Sequence, residues 1–431
     1  MAKWIYITVE NFNREAHAKL LLAFYGIKQN YNVVLGEKNL LRQILTNFPK
    51  GTIIEKSLGP NLVYQMKEWK KYGHKIVGLD EEALTYFSDK QYFNLNIAKN
   101  VQKFADRLFL LGKRHEKTIK KKVPRKIYKI VGNPRYDIFN KRLKSIFSED
   151  VKEIKKKHGK FILITSRFGN VNLNRTSIGH VLKLLDRKYH GQSILLSKKF
   201  EEMILFLAKN VKNYKIILRP HPSESLEFWK KKLSMYKNCD VIYEKNVAPW
   251  ILASEAMIQN RCTTGVESFL LGKKTISFDP LVNLDPHKKL FIDLSFMAKD
   301  KYSVLKYLKK TVKKKKKIQT LKQYIHLNNK IPASKKIIDE IDKITPLTNK
   351  NVNFFDLIKL KAFFIRNKIM NIILSLKSKE FKKYLFYTNQ KKGKINKKEI
   401  FKILNTYSNK ISKNTNFYHK QLSENIHLFK S

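Results

Sequence analysis

The segment Arg219-Pro220-His221-Pro222-Ser223-Glu224 is the part of the sequence whose residue types most directly suggest chemistry. Proline fixes its own φ and biases the preceding residue away from helix, so His221 is held with little freedom after the apolar run 215–218. An imidazole there can bind and protonate a phosphate leaving group, and Arg219 can neutralise the same phosphate. The alternative is a turn histidine that caps the next helix.

Two hydroxyls and a glycine, Thr263-Thr264-Gly265, follow the apolar run 256–258 and precede a predicted helix. Hydroxyl side chains at a helix start can cap the helix, and helix N-termini also attract phosphate. Glu267 lies in the first predicted turn, where its carboxylate can accept hydrogen bonds from ribose hydroxyls or complement the helix dipole. The sequence leaves both interpretations open.

Three adjacent carboxylates, Asp80-Glu81-Glu82, end the predicted strand 75–79. Neighbouring carboxylates raise one another's pKa, so one of them can act as a base near neutral pH and deprotonate an acceptor hydroxyl. A solvated acidic cap on the following helix is the alternative. Glu15, in the first predicted strand-to-helix loop, is a second candidate base with the same alternative.

Other candidate residues lie in loops that follow predicted strands, where ligands of open parallel sheets bind. They are Arg14 in the first loop, Ser166 and Arg167 after the run 161–165, and Asn133 and Arg135 at a turn. The sequence has no paired His, Cys or Asp cluster with metal-ligand spacing, no GxxxxGK[ST] loop and no GxGxxG fingerprint. We therefore expect no metal site, and we disfavour an ATPase or a nicotinamide enzyme.

The elements that position these loops form two series of short apolar strands alternating with helices. This pattern predicts an α/β fold with two doubly wound parallel sheets. The turn at Asn133 and the basic stretch 142–158 mark a seam between the two series. We expect domains at 1–140 and 141–300, followed by a basic helical extension over 301–431.

Composition limits the class of protein and its compartment. The chain has 431 residues, a net charge of +54 and two cysteines, Cys239 and Cys262. Two cysteines rule out a disulfide scaffold and a four-cysteine zinc site, and they fit a reducing cytoplasm. The apolar start of the chain reads as a strand, not a signal peptide, and no uncharged apolar run is long enough to span a membrane.

The positive charge is spread over the whole sequence, and we interpret most of it as a compositional bias of solvated surfaces. No nucleic-acid-binding motif is present, so we expect no nucleic-acid partner. The weakly amphipathic stretch 354–376 suggests peripheral contact with anionic lipids at the inner face of the cytoplasmic membrane. A packed helix pair is the alternative. A non-catalytic protein that binds nucleic acids or membrane surfaces is a rival for the whole chain.

Four segments occur in an order that resembles the bacterial surface carbohydrate biosynthesis protein family. They are Gly78-Leu79-Asp80-Glu81-Glu82-Ala83-Leu84, Gly132-Asn133-Pro134-Arg135-Tyr136-Asp137, Arg219-Pro220-His221-Pro222 and Cys262-Thr263-Thr264-Gly265-Val266-Glu267. The resemblance covers roughly the first 290 residues. It implies a GT-B-like fold, in which two Rossmann-like domains face a cleft.

The chain is also distantly similar to bacterial GT-B sialyltransferases, which carry an acidic pair followed by glycine, a His-Pro motif and a pair of hydroxyl residues. Ala83 departs from that glycine. The similarity implies Glu81 or Glu82 as the base, and it implies that His221 and the Thr263–Thr264 pair contact the phosphate of a CMP-linked donor. Kdo transferases place their base in an early loop, which keeps Glu15 as a candidate. Teichoic-acid glycerophosphotransferases share a similar His-Pro loop.

The resemblance thus implies a metal-independent glycosyltransferase that moves a sugar, such as a CMP-activated ulosonic acid, to a surface polysaccharide or lipid-linked glycan. A polyol-phosphate transferase with a CDP-linked donor is the alternative. Beyond the nucleotide sugar, no cofactor is expected. The expected catalytic residues are Glu81, Glu82 and His221. The expected donor-binding residues are Ser166, Arg167, Arg219, Pro222, Glu224, Thr263, Thr264, Gly265 and Glu267. The expected acceptor or cleft residues are Arg14, Glu15, Asp80, Asn133 and Arg135.

Overall fold

The computed structural model describes residues 1–84, 86, 88–169, 171–172, 187–281, 288–310, 318–328, 330–352, 354–412 and 415–431. The chain divides into two compact units. The first unit comprises Met1–Leu143, Leu321–Ile372 and Lys392–Ser431. The second unit comprises Lys144–Thr320 and Ile373–Lys391.

Fourteen strands are present in the described residues, and eight of them form the sheet of the first unit. These eight are β1 (Lys3–Val9), β2 (Tyr31–Glu37), β3 (Thr52–Glu55), β4 (Lys75–Leu79), β5 (Arg107–Leu110), β6 (Tyr128–Ile130), β13 (Tyr418–Ser423) and β14 (Ile426–Lys430). Their order is β13-β14-β2-β1-β3-β4-β5-β6, and β1 to β6 are parallel. The inner strands are short apolar runs because helices cover a parallel sheet on both faces.

The second unit holds a six-stranded sheet in which all strands are parallel. Its strands are β7 (Phe161–Thr165), β8 (Lys215–Arg219), β9 (Cys239–Val241), β10 (Ala256–Gln259), β11 (Thr275–Phe278) and β12 (Phe296–Ala298). Their order is β12-β11-β10-β7-β8-β9. Phe200, Met203 and Trp229 belong to the hydrophobic core that includes residues of this sheet.

Eighteen α-helices lie in the described residues. They are α1 (Phe12–Lys28), α2 (Lys38–Ile44), α3 (Val63–Lys71), α4 (Asp89–Asn96), α5 (Lys113–Ile119), α6 (Pro134–Asp137), α7 (Ser148–His158), α8 (Arg187–Asn210), α9 (Leu226–Leu233), α10 (Val247–Ala253), α11 (Thr264–Leu270), α12 (Lys288–Leu294), α13 (Lys301–Lys309), α14 (Ile318–Tyr324), α15 (Ala333–Asp342), α16 (Phe354–Lys377), α17 (Lys379–Lys392) and α18 (Lys397–Ile411). Among these helices, none combines the length and apolar character that crossing a bilayer requires.

The C-terminal region differs from the helical extension that its composition predicts. After α18 the chain forms the hairpin of β13 and β14, and β14 pairs antiparallel with β2. Helix α15 packs against α1 in the same unit. Its Ser334 donates from its backbone N–H and its hydroxyl to Asp137, at the end of α6. Much of the C-terminal sequence therefore completes the first sheet and its helical cover.

Two buried histidines face each other in the C-terminal hairpin. The Nε2 of His419 lies 3.2 Å from the Nδ1 of His427, and Phe429 stacks on His419. The outer ring nitrogens, Nδ1 of His419 and Nε2 of His427, have no hydrogen-bond partner in the described part of the chain. Burial lowers the pKa of His419 to about 4 and that of His427 to about 3, so both rings are neutral in the folded protein.

We predict that this histidine pair makes the protein less stable as the pH falls from about 6.5 towards 4. The unfolded chain binds protons at both imidazoles in that range whereas the folded chain does not, so protonation favours unfolding. The urea midpoint of His427→Leu should therefore fall less between about pH 7 and about pH 5 than that of the unchanged protein. Parallel pH dependences for the two proteins would contradict the prediction.

Candidate functional site

The first sheet changes direction between β1 and β3, and a network of charged side chains lies at that point. The chain runs from β1 to β2 on one side and from β3 to β6 on the other, which is where ligands bind in open α/β sheets. Glu10 follows β1 and Lys56 follows β3. The Nζ of Lys56 lies 2.5 Å from Oε2 of Glu10, so the two loops are joined by an ion pair.

Arg14 and Glu15 occupy the first turn of α1 beside this pair. Asn11 caps the helix by accepting the backbone N–H of Arg14, and Glu15 accepts the backbone N–H of Glu10. The guanidinium of Arg14 lies 2.6 Å from the Glu15 carboxylate. Residue Glu15 is 3% exposed to solvent. Burial acts to raise the pKa of Glu15, but Arg14, Lys56 and Lys19 outweigh it and lower that pKa. Glu15 is thus a buried, ionised partner of Arg14, not an accessible base.

Glu82 is the accessible carboxylate of the acidic cluster, with a side chain that is 52% exposed. The Nζ of Lys56 lies 2.8 Å from its carboxylate, and Arg14 lies at 3.5 Å. These two cations hold the pKa of Glu82 well below its ordinary value, although burial acts in the opposite direction. Glu81 points elsewhere and forms a buried ion pair with Lys19 at 2.7 Å. The two glutamates therefore have different environments.

Asp80 is the carboxyl of the cluster whose pKa is raised, and the physical cause differs from the expected one. Burial raises the pKa of Asp80 to about 6. The negative charge of its neighbour Glu82 also raises this pKa, but by less than burial does. Asp80 accepts the hydroxyl of Tyr92 at 2.5 Å and the backbone N–H of Glu82 at 2.7 Å. The Nδ1 of His115 accepts the backbone N–H of Leu111, so its Nε2 donates to Tyr92 at 2.7 Å. Asp80 thereby fixes the backbone that carries Glu82.

Asn133 and Arg135 are also in the first unit, and both are buried. Asn133 is the N-cap of α6, where its side chain accepts the backbone N–H of Arg135 at 2.9 Å. Gly132 precedes it with a φ of 91°, a value that favours glycine. The geometry of Asn133 is that of a helix cap.

The second sheet has the strand order of dinucleotide-binding folds, with its change of direction between β7 and β10. The end of β7 contacts the start of α11 at that point, since the hydroxyls of Thr165 and Thr264 lie 3.0 Å apart. The loops after β7, β8 and β10 carry Ser166, His221 and Thr263 respectively. The structure therefore brings most of the predicted donor-binding segments to one edge of one sheet.

Glu224 ties two of these loops together from a fully buried position. Its Oε1 accepts the hydroxyl of Ser166 at 2.8 Å and the backbone N–H groups of Phe168 at 2.9 Å and His221 at 3.1 Å. Its Oε2 accepts the indole N–H of Trp229 at 2.8 Å. Burial raises the pKa of Glu224 despite these hydrogen bonds. The Glu224 carboxylate holds the loops in place, and donor binding by Glu224 stays a prediction.

His221 is oriented by its neighbour two residues along the chain. The backbone N–H of Ser223 donates to Nδ1 of His221, and the Ser223 hydroxyl lies 2.6 Å from the same atom. A neutral ring whose Nδ1 accepts a hydrogen bond carries its proton on Nε2. Helix α9 is capped by Ser225, so His221 is not the capping residue. A Cβ at Gly169 would lie 1.8 Å from the Ser223 hydroxyl, so a larger residue there would displace this hydroxyl from His221.

Arg219 is engaged with the protein at the end of β8. Its guanidinium donates to the carbonyls of Glu244 at 2.5 Å and Lys245 at 2.6 Å, and it lies over the ring of Tyr243. Burial lowers its pKa, and nearby Glu267 acts to raise it. The Arg219 guanidinium therefore supports the 243–245 loop. This role differs from the direct phosphate contact that the sequence suggests for Arg219.

Arg261 is a residue that the sequence analysis missed. Its φ is 57°, a left-handed conformation that is uncommon outside glycine and that occurs more often at functional sites. Its carbonyl accepts the guanidinium of Arg167 at 3.2 Å, and its own Nε lies 3.5 Å from Asp279. Two arginines thus lie near the change of direction. No sequence signal marks this conformation, because arginine is not a typical left-handed residue.

The start of α11 places Thr263 at the N-cap position with no side-chain capping bond. Gly265 lies against the side chain of Gln259, where a Cβ would meet Nε2 at 2.9 Å. Glu267 is buried in the first turn. Among the described residues, no group of three or more His, Cys, Asp or Glu side chains could hold a metal ion.

The predicted site residues therefore form two groups, one in each unit. Arg14, Glu15, Asp80, Glu81 and Glu82 share the carboxyl edge of the first sheet. The donor-binding candidates Ser166, Arg167, Arg219, His221, Pro222, Glu224, Thr263, Thr264, Gly265 and Glu267 share that of the second. Sequence reasoning missed Glu10, Lys56 and Ser223 as partners. Glu10 and Lys56 follow short apolar runs at 5–9 and 52–54, and this position after an apolar run is the signal that could have found them.

Comparison with solved structures shows which fold the two units form. The Methanocaldococcus jannaschii UDP-GlcNAc 2-epimerase, solved in complex with UDP-GlcNAc and UDP, is 12% identical with a TM-score of 0.52, over 80% of this chain and 100% of that one. A histidine-to-alanine variant of the wall teichoic acid polymerase TagF is 15% identical with a TM-score of 0.51, over 79% and 88%. No family model and no curated protein sequence matches the chain. The expected GT-B-like fold of two Rossmann-like units is confirmed.

We predict that Glu224→Gln destabilises the second unit by about 1–3 kcal/mol. An amide can keep its oxygen towards Ser166 and Phe168, but its NH₂ group then faces the indole N–H of Trp229, so two buried donors oppose each other. Urea denaturation followed by Trp fluorescence measures the loss. Glu227→Gln, at an exposed position of α9, is the matched control and should change stability by no more than about 0.5 kcal/mol. Equal effects of the two substitutions would contradict the prediction.

Proposed function

We propose that this chain is a metal-independent transferase that moves a sugar from a nucleotide donor to a bacterial surface polysaccharide or lipid-linked glycan. The observation that carries the proposal is the orientation of His221 beside the change of direction of the second sheet. Ser223 occupies Nδ1, so Nε2 of the neutral ring is a hydrogen-bond donor at the edge where nucleotides bind in this strand order. A donor of this kind stabilises the charge that develops on a departing phosphate.

The hydroxyls of Thr263 and Thr264 and the guanidinium of Arg167 supply further donors at the same edge. Thr263 makes no capping bond to α11, and Thr264, the first residue of α11, lies beside Thr165 at the end of β7. We assign a CMP-linked donor, such as an activated ulosonic acid, because the ordered acidic, His-Pro and Thr-Thr motifs resemble those of CMP-dependent sialyltransferases. Side-chain and backbone donors would then perform the charge neutralisation that a metal performs in other transferases.

We assign the general base to Glu82, because it is the exposed carboxylate of its cluster and Glu81 is buried against Lys19. Lys56 and Arg14 keep Glu82 ionised, so it is ready to accept a proton from an acceptor hydroxyl. A base with such a low pKa is weak, and proton transfer would accompany departure of the phosphate instead of preceding it. Glu15 is the less suitable base because its carboxylate is buried.

A polyol-phosphate transferase with a CDP-linked donor is the second candidate, favoured by the likeness to the wall teichoic acid polymerase TagF. Both reactions release a cytidine nucleotide, so the donor-binding edge serves either one. The products differ, because the second reaction leaves a phosphodiester in the acceptor. Product mass spectrometry separates the two reactions.

The first test measures donor binding and turnover. A ligand that binds the folded state raises the unfolding temperature, so CMP-, CDP-, UDP- and GDP-linked donors are compared by thermal shift. His221→Ala should lower turnover with the stabilising donor by about 10²–10⁴-fold. His221→Gln keeps an N–H near the position of Nε2 and should retain more donor binding than alanine. Unchanged turnover in His221→Ala would overturn the assigned role.

The second test separates catalysis from binding in the first unit. Glu82→Gln keeps the shape of the side chain and removes its charge, so we expect turnover to fall by about 10²–10⁴-fold while the thermal shift by the donor persists. Glu68→Gln, at a surface ion pair with Lys71, is the control and should leave both readouts unchanged. Loss of donor binding in Glu82→Gln would instead indicate a structural role for Glu82.

A further inference from the structure

Helix α16 presents a row of large apolar side chains to solvent. Leu360 is buried on one side of the helix, and Phe363 and Phe364 are partly buried there. One row of exposed side chains consists of Ile358 (46% exposed), Ile365 (59%), Ile369 (51%), Ile372 (51%) and Leu376 (82%), and Met370, Ile373 and Leu374 are exposed outside it. A contiguous exposed apolar surface of this kind normally marks a site that something covers.

The spacing of these residues places them in one stripe. Successive helical residues are rotated by about 100°, so positions 7, 11, 14 and 18 residues after Ile358 all lie within about 40° of it. At 1.5 Å per residue the stripe is about 27 Å long. Exposed cations flank it on both sides, with Lys359, Arg366 and Lys377 on one side and Lys361 and Lys368 on the other.

This arrangement is typical of a helix that lies in the plane of a membrane interface. The apolar stripe enters the acyl boundary, while the aliphatic stems of Lys and Arg extend outwards and their charges reach anionic headgroups. Asp356, the acidic residue of α16, lies on the opposite side of the helix from the stripe. The charged residues on both flanks of the helix agree with an interfacial orientation and not with a spanning one.

Charge decides between a lipid surface and a second copy of this chain as the occupant. Residues 354–392 contain ten Lys or Arg and two acidic residues, and the whole chain carries +54. Two copies meeting at this stripe would bring their cationic flanks together, whereas an anionic bilayer is complementary to them. We propose that α16 docks the protein on an anionic membrane surface through the stripe of Ile358, Ile365, Ile369, Ile372 and Leu376.

The proposed membrane-docking surface does not depend on the proposed transferase function. It adds to that function a location at the membrane. A transferase held at the bilayer would meet lipid-linked acceptors at the height of the headgroups. Vesicle binding needs no substrate, so its failure would leave the donor-binding tests unaffected.

Vesicle sedimentation tests the proposal with the full chain. The protein should bind vesicles of phosphatidylcholine and phosphatidylglycerol in equal parts, should bind pure phosphatidylcholine far more weakly, and should lose affinity as salt rises. The triple variant Ile365→Gln, Ile369→Gln and Ile372→Gln should bind the anionic vesicles at least about tenfold more weakly, because burial of three apolar side chains is lost.

The matched control is a triple variant at exposed apolar positions outside the helix, Tyr64→Gln, Tyr72→Gln and Met235→Gln. This control variant should bind the anionic vesicles as the unchanged protein does. Both triple variants should have the unfolding temperature of the unchanged protein. Equal binding by the stripe variant and the unchanged protein would overturn the proposal. A second result would also overturn it: the unchanged protein forms a dimer in light scattering and does not bind vesicles, and the stripe substitutions dissociate that dimer.

Discussion

A single buried carboxylate organises the candidate donor edge of the second unit. Glu224 accepts donors from Ser166, Phe168, His221 and Trp229, so the loops after β7 and β8 and helix α9 share one acceptor. A buried carboxylate is costly unless donors satisfy it, and here they come from the segments that it joins. The position of His221 therefore depends on a residue that need not touch a ligand.

In the first unit, ion pairs instead of a single buried acceptor hold the loops at the carboxyl edge of the sheet. Lys56 and Arg14 neutralise Glu10, Glu15 and Glu82 at the carboxyl edge of the first sheet. The cations keep Glu15 and Glu82 ionised, and the hydrogen bond that Asp80 accepts from the backbone N–H of Glu82 fixes the loop. Reactivity at this edge is thus a property of the network and not of the acidic triplet alone.

The C-terminal sequence contains two segments with different structural roles, and their amino-acid composition does not distinguish these roles. The hairpin of β13 and β14 extends the first sheet and buries His419 and His427. Helix α16 leaves an apolar stripe between cations in solvent. Both segments contain lysine beside apolar residues, yet pairing with β2 buries the hairpin while the stripe of α16 is accessible.

The sequence by itself determined the alternating strands, the loops that follow them, and hence the edges where chemistry is expected, because these features depend on local apolar periodicity and on turn residues. The tertiary structure decided the environment of each side chain. It paired Glu81 with Lys19, buried Glu15 and Glu224, and gave the raised pKa to Asp80. Those outcomes depend on residues far apart in the chain, whose contacts no local pattern encodes. The hairpin on β2 is of the same kind, since its partner strand lies almost 400 residues earlier.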